Sequence, residues 1–240
     1  MRVISIMQPG YLPWLGYFDM CALSNVFVVY DDVQFDRHGW RNRNRILVRG
    51  GPSWLTVPVT RQFAAPIREI RIADPRWPRK HLGSLRAAYG RAPFFDWCFP
   101  ELTRTLLQRP YEWLLDVCVD LHGLLSRLLA LDTPMRLASE IGYEGVGRTE
   151  RLVAICGTLN ASHYLATDAS KAYMDEPLWR AHAMTLVYQG YPHPTYPQFD
   201  HPFVSHLSAV DALMFVGPEA RKLLRLPRPS LALFSEHQLG

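Results

Sequence analysis

The first thirty residues leave this chain few folds to choose from. Arg2–Met7 (RVISIM) is an apolar, partly β-branched run of strand length, and Val26–Tyr30 (VFVVY) is a second. Between them, Gln8–Trp14 (QPGYLPW) carries two prolines and a glycine and cannot be regular. Leu15–Leu23 then places Leu15, Phe18, Met20 and Leu23 at helical spacing. Strand, loop, helix, strand is a βαβ unit, whose crossover makes the strands parallel and the connection right-handed. The expected class is therefore α/β, with a mostly parallel sheet flanked by helices. Ligands of such sheets bind beyond the carboxyl ends of the strands. Two polar loops, Gln8–Trp14 and Asp31–Arg45, fall there.

The rest of the chain extends this start. Arg45–Val48 and Trp54–Val57, separated by a glycine- and proline-containing segment, predict a hairpin. Ile67–Ile72 (IREIRI) alternates as a half-exposed strand would. Residues Trp77–Leu131 carry helical patterns over His81–Tyr89, Leu102–Leu107 and Tyr111–Leu131, and read as a helical insert or cap. A short strand over Arg136–Ala138 follows, then a helix over Thr149–Asn160 with Thr149 as its N-cap. Strands over His163–Ala166 and Thr185–Tyr188 come next, and a helix over Ser208–Phe215 stops at Gly217-Pro218. A chain of 240 residues with 48% hydrophobic and 20% charged residues has the material for one such domain spanning 1–240, and it is not a disordered composition.

Charge narrows the function class. A net charge of +4 is too small to argue for a nucleic-acid partner, and it suits a pocket for an anionic small molecule. The cations are nearly all arginine, which favours planar recognition of phosphate or carboxylate, although a codon bias would give the same excess. Cys21, Cys98, Cys118 and Cys156 form no CxxC pair and lie in apolar stretches, as reduced buried thiols do. No run approaches the length of a membrane span and no signal-peptide core opens the chain, so a cytoplasmic location is expected.

Four constellations could carry chemistry. In Tyr30–Arg45 (YDDVQFDRHGWRNRNR) a strand end delivers Asp31 and Asp32, then Gln34, Trp40 and alternating Arg41, Asn42, Arg43, Asn44, Arg45. Adjacent aspartates in extended chain point opposite ways, so at most one of the pair faces a pocket. The arginines share one face, as an anion clamp or as a solvated edge strand would arrange them. The opening loop offers Gln8 and Tyr11 as donors beside a helix N-terminus, and matches no nucleotide-binding fingerprint. Tyr191–Ser208 gathers His193, Tyr196, Gln198, His201, His206 and Ser208 among prolines. His193 is the candidate general base there, against the plainer reading of a hydrogen-bonded structural ring. Finally, Lys171 and Tyr173 follow a strand, with Lys171 either meeting an anionic substrate or sitting on the surface. No GxSxG elbow or HExxH motif occurs.

These segments together resemble the WbqC-like protein family. The resemblance is carried by Met7-Gln8-Pro9, Pro13-Trp14-Leu15-Gly16-Tyr17-Phe18, Tyr30-Asp31-Asp32-Val33-Gln34-Phe35 and Trp40-Arg41-Asn42-Arg43-Asn44-Arg45. It continues through Trp54–Val59, Lys171-Ala172-Tyr173, His193–Gln198 and Leu207–Asp211. Gly10 and Ala172 depart from the family pattern, where an aromatic and an acid respectively are usual, so no acid at 172 takes part. The resemblance implies a biosynthetic enzyme that transfers an acyl or aminoacyl group to or from a sugar-linked or carrier-protein-linked intermediate. It implies Asp32, His193, Lys171 and Tyr196 as catalytic candidates. Gln8, Tyr11, Asp31, Gln34, Trp40, Arg41, Asn42, Arg43, Tyr173, Gln198 and Ser208 are the binding candidates. The resemblance fixes no cofactor: a phosphopantetheine-linked donor is one candidate, and a divalent metal stays open. The rival readings are a metal-assisted glycosyl or nucleotidyl transferase, using the Asp31-Asp32 pair, and a non-catalytic partner-binding protein.

Overall fold

In a computed structural model of the chain, residues 1–36, 39–60, 64–145, 147–199 and 202–225 are described. The βαβ start is present as β1 (Val3–Met7), α1 (Leu15–Leu23) and β2 (Val26–Val29). A two-stranded antiparallel hairpin follows, β3 (Arg43–Val48) and β4 (Gly51–Thr56), with Arg43 opposite Thr56 and Val48 opposite Gly51. The helical stretch resolves into α2 (Trp77–Tyr89), α3 (Phe95–Leu107) and α4 (Leu114–Leu128). Then come β5 (Met135–Leu137), α5 (Arg148–Thr158), β6 (His163–Ala166), α6 (Glu176–Ala181), β7 (Thr185–Tyr188) and α7 (Ala209–Val216).

The main sheet has the order β5-β2-β1-β6-β7, and every pairing in it is parallel. Burial explains why its strands read as nearly unbroken apolar runs: both faces are covered. Successive side chains alternate between faces. Val3, Phe27, Val29 and Leu165 point into a large core shared with α1 to α4, β3 and α7. Ile4, Ile6, Val26, Val28, Tyr164 and Ala166 point into a smaller core with Leu152, Val153, Ile155 and Cys156 of α5 and Trp179 of α6. Ser5 interrupts the apolar alternation of β1, and its buried hydroxyl is 2.5 Å from that of Ser24.

Two local expectations are corrected. Ile67–Ile72 is not a strand: Ile67–Glu69 forms a 3-10 turn, and Arg71 and Ile72 make only single bridges, to Trp113 and Val59. Ile67 and Ile70 are both fully buried, and a three-residue spacing is what one tight turn brings to one side. Thr149 is not the N-cap of α5. Gly147 takes that position, the Glu150 carboxylate accepts from its N–H at 2.6 Å, and Thr149 lies buried one residue inside the helix.

The expected stop at Gly217 is found, and its geometry demands glycine. The residue has φ +62° and ψ −141°, and an added Cβ would stand 2.3 Å from the Phe94 ring. Gly217→Ala is expected to destabilise the fold by about 2 kcal/mol through backbone strain and the clash with Phe94, read as a lowered urea midpoint at unchanged slope.

Candidate functional site

The sheet order creates a switch point. From β1 the chain crosses to β2 on one side, while β6 leads to β7 on the other, so the loops leaving β1 and β6 part at their carboxyl ends. A cleft of about 790 Å³ opens there. Gln8 lines it from the end of β1. Tyr30, Val33, Gln34 and Asp36 come from the segment after β2, with Arg41 beyond them. Thr167, Ser170 and Tyr173 come from the segment after β6, and Gly147, Arg148, Arg151 and Leu152 from the head of α5. A helix that returns across a parallel sheet begins at the strands' carboxyl ends, so the positive end of the α5 dipole borders the cleft.

Three arginines converge on this space. Arg148 lies over the Tyr173 ring, 5.3 Å from its centroid. Arg151 donates to the Tyr143 hydroxyl at 2.8 Å and pairs with Asp32 at 3.5 Å. Arg41 is held mostly out of water, which lowers its pKa, and its Nε has no partner among the described residues. Asp32 sits behind Arg151: Oδ2 accepts from Tyr143 at 2.6 Å, and Oδ1 has no partner among the described residues. Burial pushes the Tyr143 hydroxyl well above its ordinary range, and its hydrogen bond to the Asp32 carboxylate adds to that. Burial likewise raises Tyr30, with Arg151 pulling it back. The arrangement can bind an anion and present one carboxylate next to it.

Of the residues singled out in the sequence, Gln8, Gln34, Arg41 and Tyr173 meet in the cleft, and Asp32 is not among the lining residues but pairs with one of them, Arg151. Lys171 lies in the 3-10 turn Asp168–Ala172 just before Tyr173, but pairs with Asp168 at 3.3 Å and lies over Tyr188. The two aspartates have separate partners. Asp31 turns inward, fully buried, and accepts from Ser139 N–H at 3.0 Å and Ser139 Oγ at 2.6 Å. It is a structural clamp rather than a binding residue. Arg43 and Arg45 alternate with the buried Asn44 in β3, whereas Arg41 and Asn42 lie in a bend before the strand and Arg41 lines the cleft instead of sharing their face. Asn42 is spent on the Val57 carbonyl at 2.9 Å, holding β3 to the chain after β4. Arg43 stacks on Trp54 at 4.5 Å, and Trp40 packs on Trp54 at 4.9 Å, away from the residues that line the cleft. Tyr11 is fully buried, with its hydroxyl 2.8 Å from His81 Nδ1.

The proline segment forms a different assembly. His193 Nδ1–H donates to the Pro194 carbonyl at 2.9 Å, and Nε2 accepts from His206 N–H at 3.1 Å. Both nitrogens are committed, and burial lowers the ring's pKa, so the geometry gives no lone pair to a general base. The ring lies nearly parallel to Trp14, as does that of His206. Tyr196 and Gln198 both donate to the buried Asp211 carboxylate, at 2.9 and 2.8 Å, and Ser208 caps α7 by accepting from Val210 N–H. These are packing and capping roles, and His201 lies outside the described residues.

Sequence reasoning missed Arg148 and Arg151. They come from a helix more than a hundred residues beyond the first cleft loop, and their one signal was the Gly145-x-Gly147-Arg148 run at a helix start. All four cysteines are buried, and burial pushes Cys98 and Cys118 up to about 12. Among the described residues no three His, Cys, Asp or Glu side chains are grouped to hold a metal ion. No helix among them is long and apolar enough to cross a membrane.

Comparison with known proteins adds a family. A family model described as the WbqC-like protein family matches residues 8–223. An uncharacterised Mycobacterium tuberculosis protein, Rv1507c, is 34% identical over 241 residues, covering 95% of this chain and all of the relative. No solved structure matches the chain.

Proposed function

This chain belongs to the WbqC-like protein family, and from that premise we propose that it is a biosynthetic transferase whose strand-end cleft seats the anionic end of a sugar-linked or carrier-linked intermediate. The observation that carries the reading is the convergence of Arg41, Arg148 and Arg151 with the head of α5 on one cleft, with the Asp32 carboxylate beside Arg151.

The chemistry that suits this arrangement is acyl or aminoacyl transfer to an amine. The amine nitrogen attacks the carbonyl carbon of the acyl donor, so a C–N bond forms. The C–S or C–O bond to the carrier breaks, and its electron pair leaves with the sulfur or oxygen. The proton shed by the amine passes to Asp32 and on to the leaving group. Gln8 and Gln34 supply amide donors on the cleft wall for the oxyanion. Direct attack fits the thiols, since a buried cysteine with a raised pKa is a poor nucleophile. The metal-assisted alternative gains no support from Asp31 and Asp32, whose carboxylates have separate partners, Ser139 and Tyr143.

The test is to incubate the protein with acyl and aminoacyl carrier-protein thioesters and amine-bearing nucleotide-sugars, and to read every mass. The expected result is acyl mass lost from the carrier and gained by the sugar, no adduct on the protein, and a rate lowered about 100-fold or more in Asp32→Asn. Consumption of the nucleotide-sugar without acyl transfer would overturn the acyl reading. A partner-binding reading is favoured by one feature, the half-exposed indoles Trp40 and Trp54 stacked with Arg43 on the hairpin. It requires carrier binding with no turnover at all.

A further inference from the structure

We infer that the anion bound in the strand-end cleft is a nucleoside diphosphate, free or as its sugar conjugate, with the diphosphate at the head of α5 and the base against the tyrosine wall. This rests on the cleft being the substrate site proposed above, and it selects among the anions that site admits.

Arg148 and Arg151 are three residues apart at the start of α5, so their side chains leave one helix face with Cβ atoms about 5 Å apart. Two guanidinium groups rooted side by side can engage two linked phosphates, where a lone carboxylate engages one. Arg41 approaches the same space from the other side of the sheet's end. Arg151 is shared with Asp32, but Arg148 makes no ion pair among the described residues, and its guanidinium is set over the Tyr173 ring instead of a carboxylate.

The uncharged part of the lining selects the rest of the ligand. Tyr30, Tyr164 and Tyr173 all border the cleft. Tyr164 is buried, its ring stacked on Trp179 with centroids 4.5 Å apart and planes 6° from parallel. Tyr173 is 49% exposed, with Arg148 over its ring. A planar base gains stacking from an exposed ring such as that of Tyr173. The thin methylene-and-amide chain of a phosphopantetheine gains little from rings spread around an open cleft, and a simple sugar phosphate has no flat face to offer. The hydroxyl-bearing Thr167 and Ser170 lie on the same wall, where a ribose would need partners. A cleft of about 790 Å³ has room for all three parts, and a lone phosphate would leave most of it empty.

The experiment is calorimetric titration of the intact protein with UDP, ADP, GDP and CDP, with pyrophosphate and with 4′-phosphopantetheine. It is repeated for Tyr173→Ala and Arg148→Ala, whose exposed side chains can be removed without opening the core. At least one nucleotide is expected to bind about tenfold tighter than pyrophosphate. Tyr173→Ala then brings that nucleotide down to the pyrophosphate level while leaving pyrophosphate itself unchanged. Arg148→Ala weakens both by about tenfold. If pyrophosphate or 4′-phosphopantetheine binds as tightly as every nucleotide, the nucleoside diphosphate is wrong and the anion cleft still stands. If none of the six binds, this inference and the reading beneath it both fall.

Discussion

Acidification from pH 6.5 to about 4 is expected to remove roughly 3 kcal/mol of stability through each of two buried histidines, His81 and His122. Burial depresses both rings, each to about 4. His81 Nε2–H donates to the Thr56 carbonyl at 3.2 Å while Nδ1 accepts from the Tyr11 hydroxyl, so its neutral tautomer is the one built in. His122 lies 3.2 Å from the Tyr17 hydroxyl and stacks on Phe27. The unfolded chain takes up a proton on each near pH 6.5, whereas the folded chain resists until about 4. Between those values the unfolded state binds more protons, so stability is lost as the pH is lowered; above 6.5 this contribution is complete and flat. Urea midpoints at pH 7.5, 6.5, 5.5 and 4.5 measure the slope. In His122→Gln it should shrink by close to half. An unchanged slope in that variant would remove the histidines from the explanation.

A loss of about 4 kcal/mol is expected for Asp211→Ala. The carboxylate is fully buried on α7 and accepts from three donors on two other segments: Tyr89 at 2.8 Å, Tyr196 at 2.9 Å and Gln198 at 2.8 Å. Burial pushes its pKa up and the three donors pull it back. Alanine would leave all three donors without an acceptor in a dry core, in addition to a cavity. Tyr89→Phe, which removes one donor and also leaves the Leu47 N–H without its 3.0 Å acceptor, should cost about half as much. The network binds the proline segment to α7 and lies outside the cleft, so anion binding by the folded fraction should be unaffected. A binding defect in a variant that remains fully folded would give the proline segment a role in the site after all.

What could be read from the chain alone was what depends on near neighbours. The apolar runs Arg2–Met7 and Val26–Tyr30 with a helical segment between them could hardly be anything but βαβ, and they are. The alternation of Arg43 and Arg45 with Asn44 was legible because a strand has one period, whereas Arg41, in the bend before the strand, goes to the cleft. The cleft was half legible: loops at strand ends can be located from strand positions, and Gln8, Gln34, Arg41 and Tyr173 are on them. What could not be seen depends on who meets whom across the fold. Nothing around His193 says that one of its nitrogens will be taken by the backbone of His206, thirteen residues away. Nothing around Asp31 says that Ser139 will fill both its oxygens. Ile67–Ile72 misled for a different reason: Ile67, Ile70 and Ile72 fit a period of two and a period of three about equally, and the tight turn won because it buries the first two together.

The unequal cores on the two faces of the sheet divide labour within the molecule. The large one, shared by α1 to α4, β3 and α7, holds most of the apolar mass and none of the cleft's paired arginines. The small one, beneath α5 and α6, carries Arg148 and Arg151 on the same helix that supplies Leu152, Val153, Ile155 and Cys156 to its packing. Two of the three arginines that line the cleft thus sit on the half of the protein with the smaller core. Substitutions at the exposed head of α5 are therefore expected to change anion binding, if the cleft is the site proposed above, while the larger core opposite stays as it is.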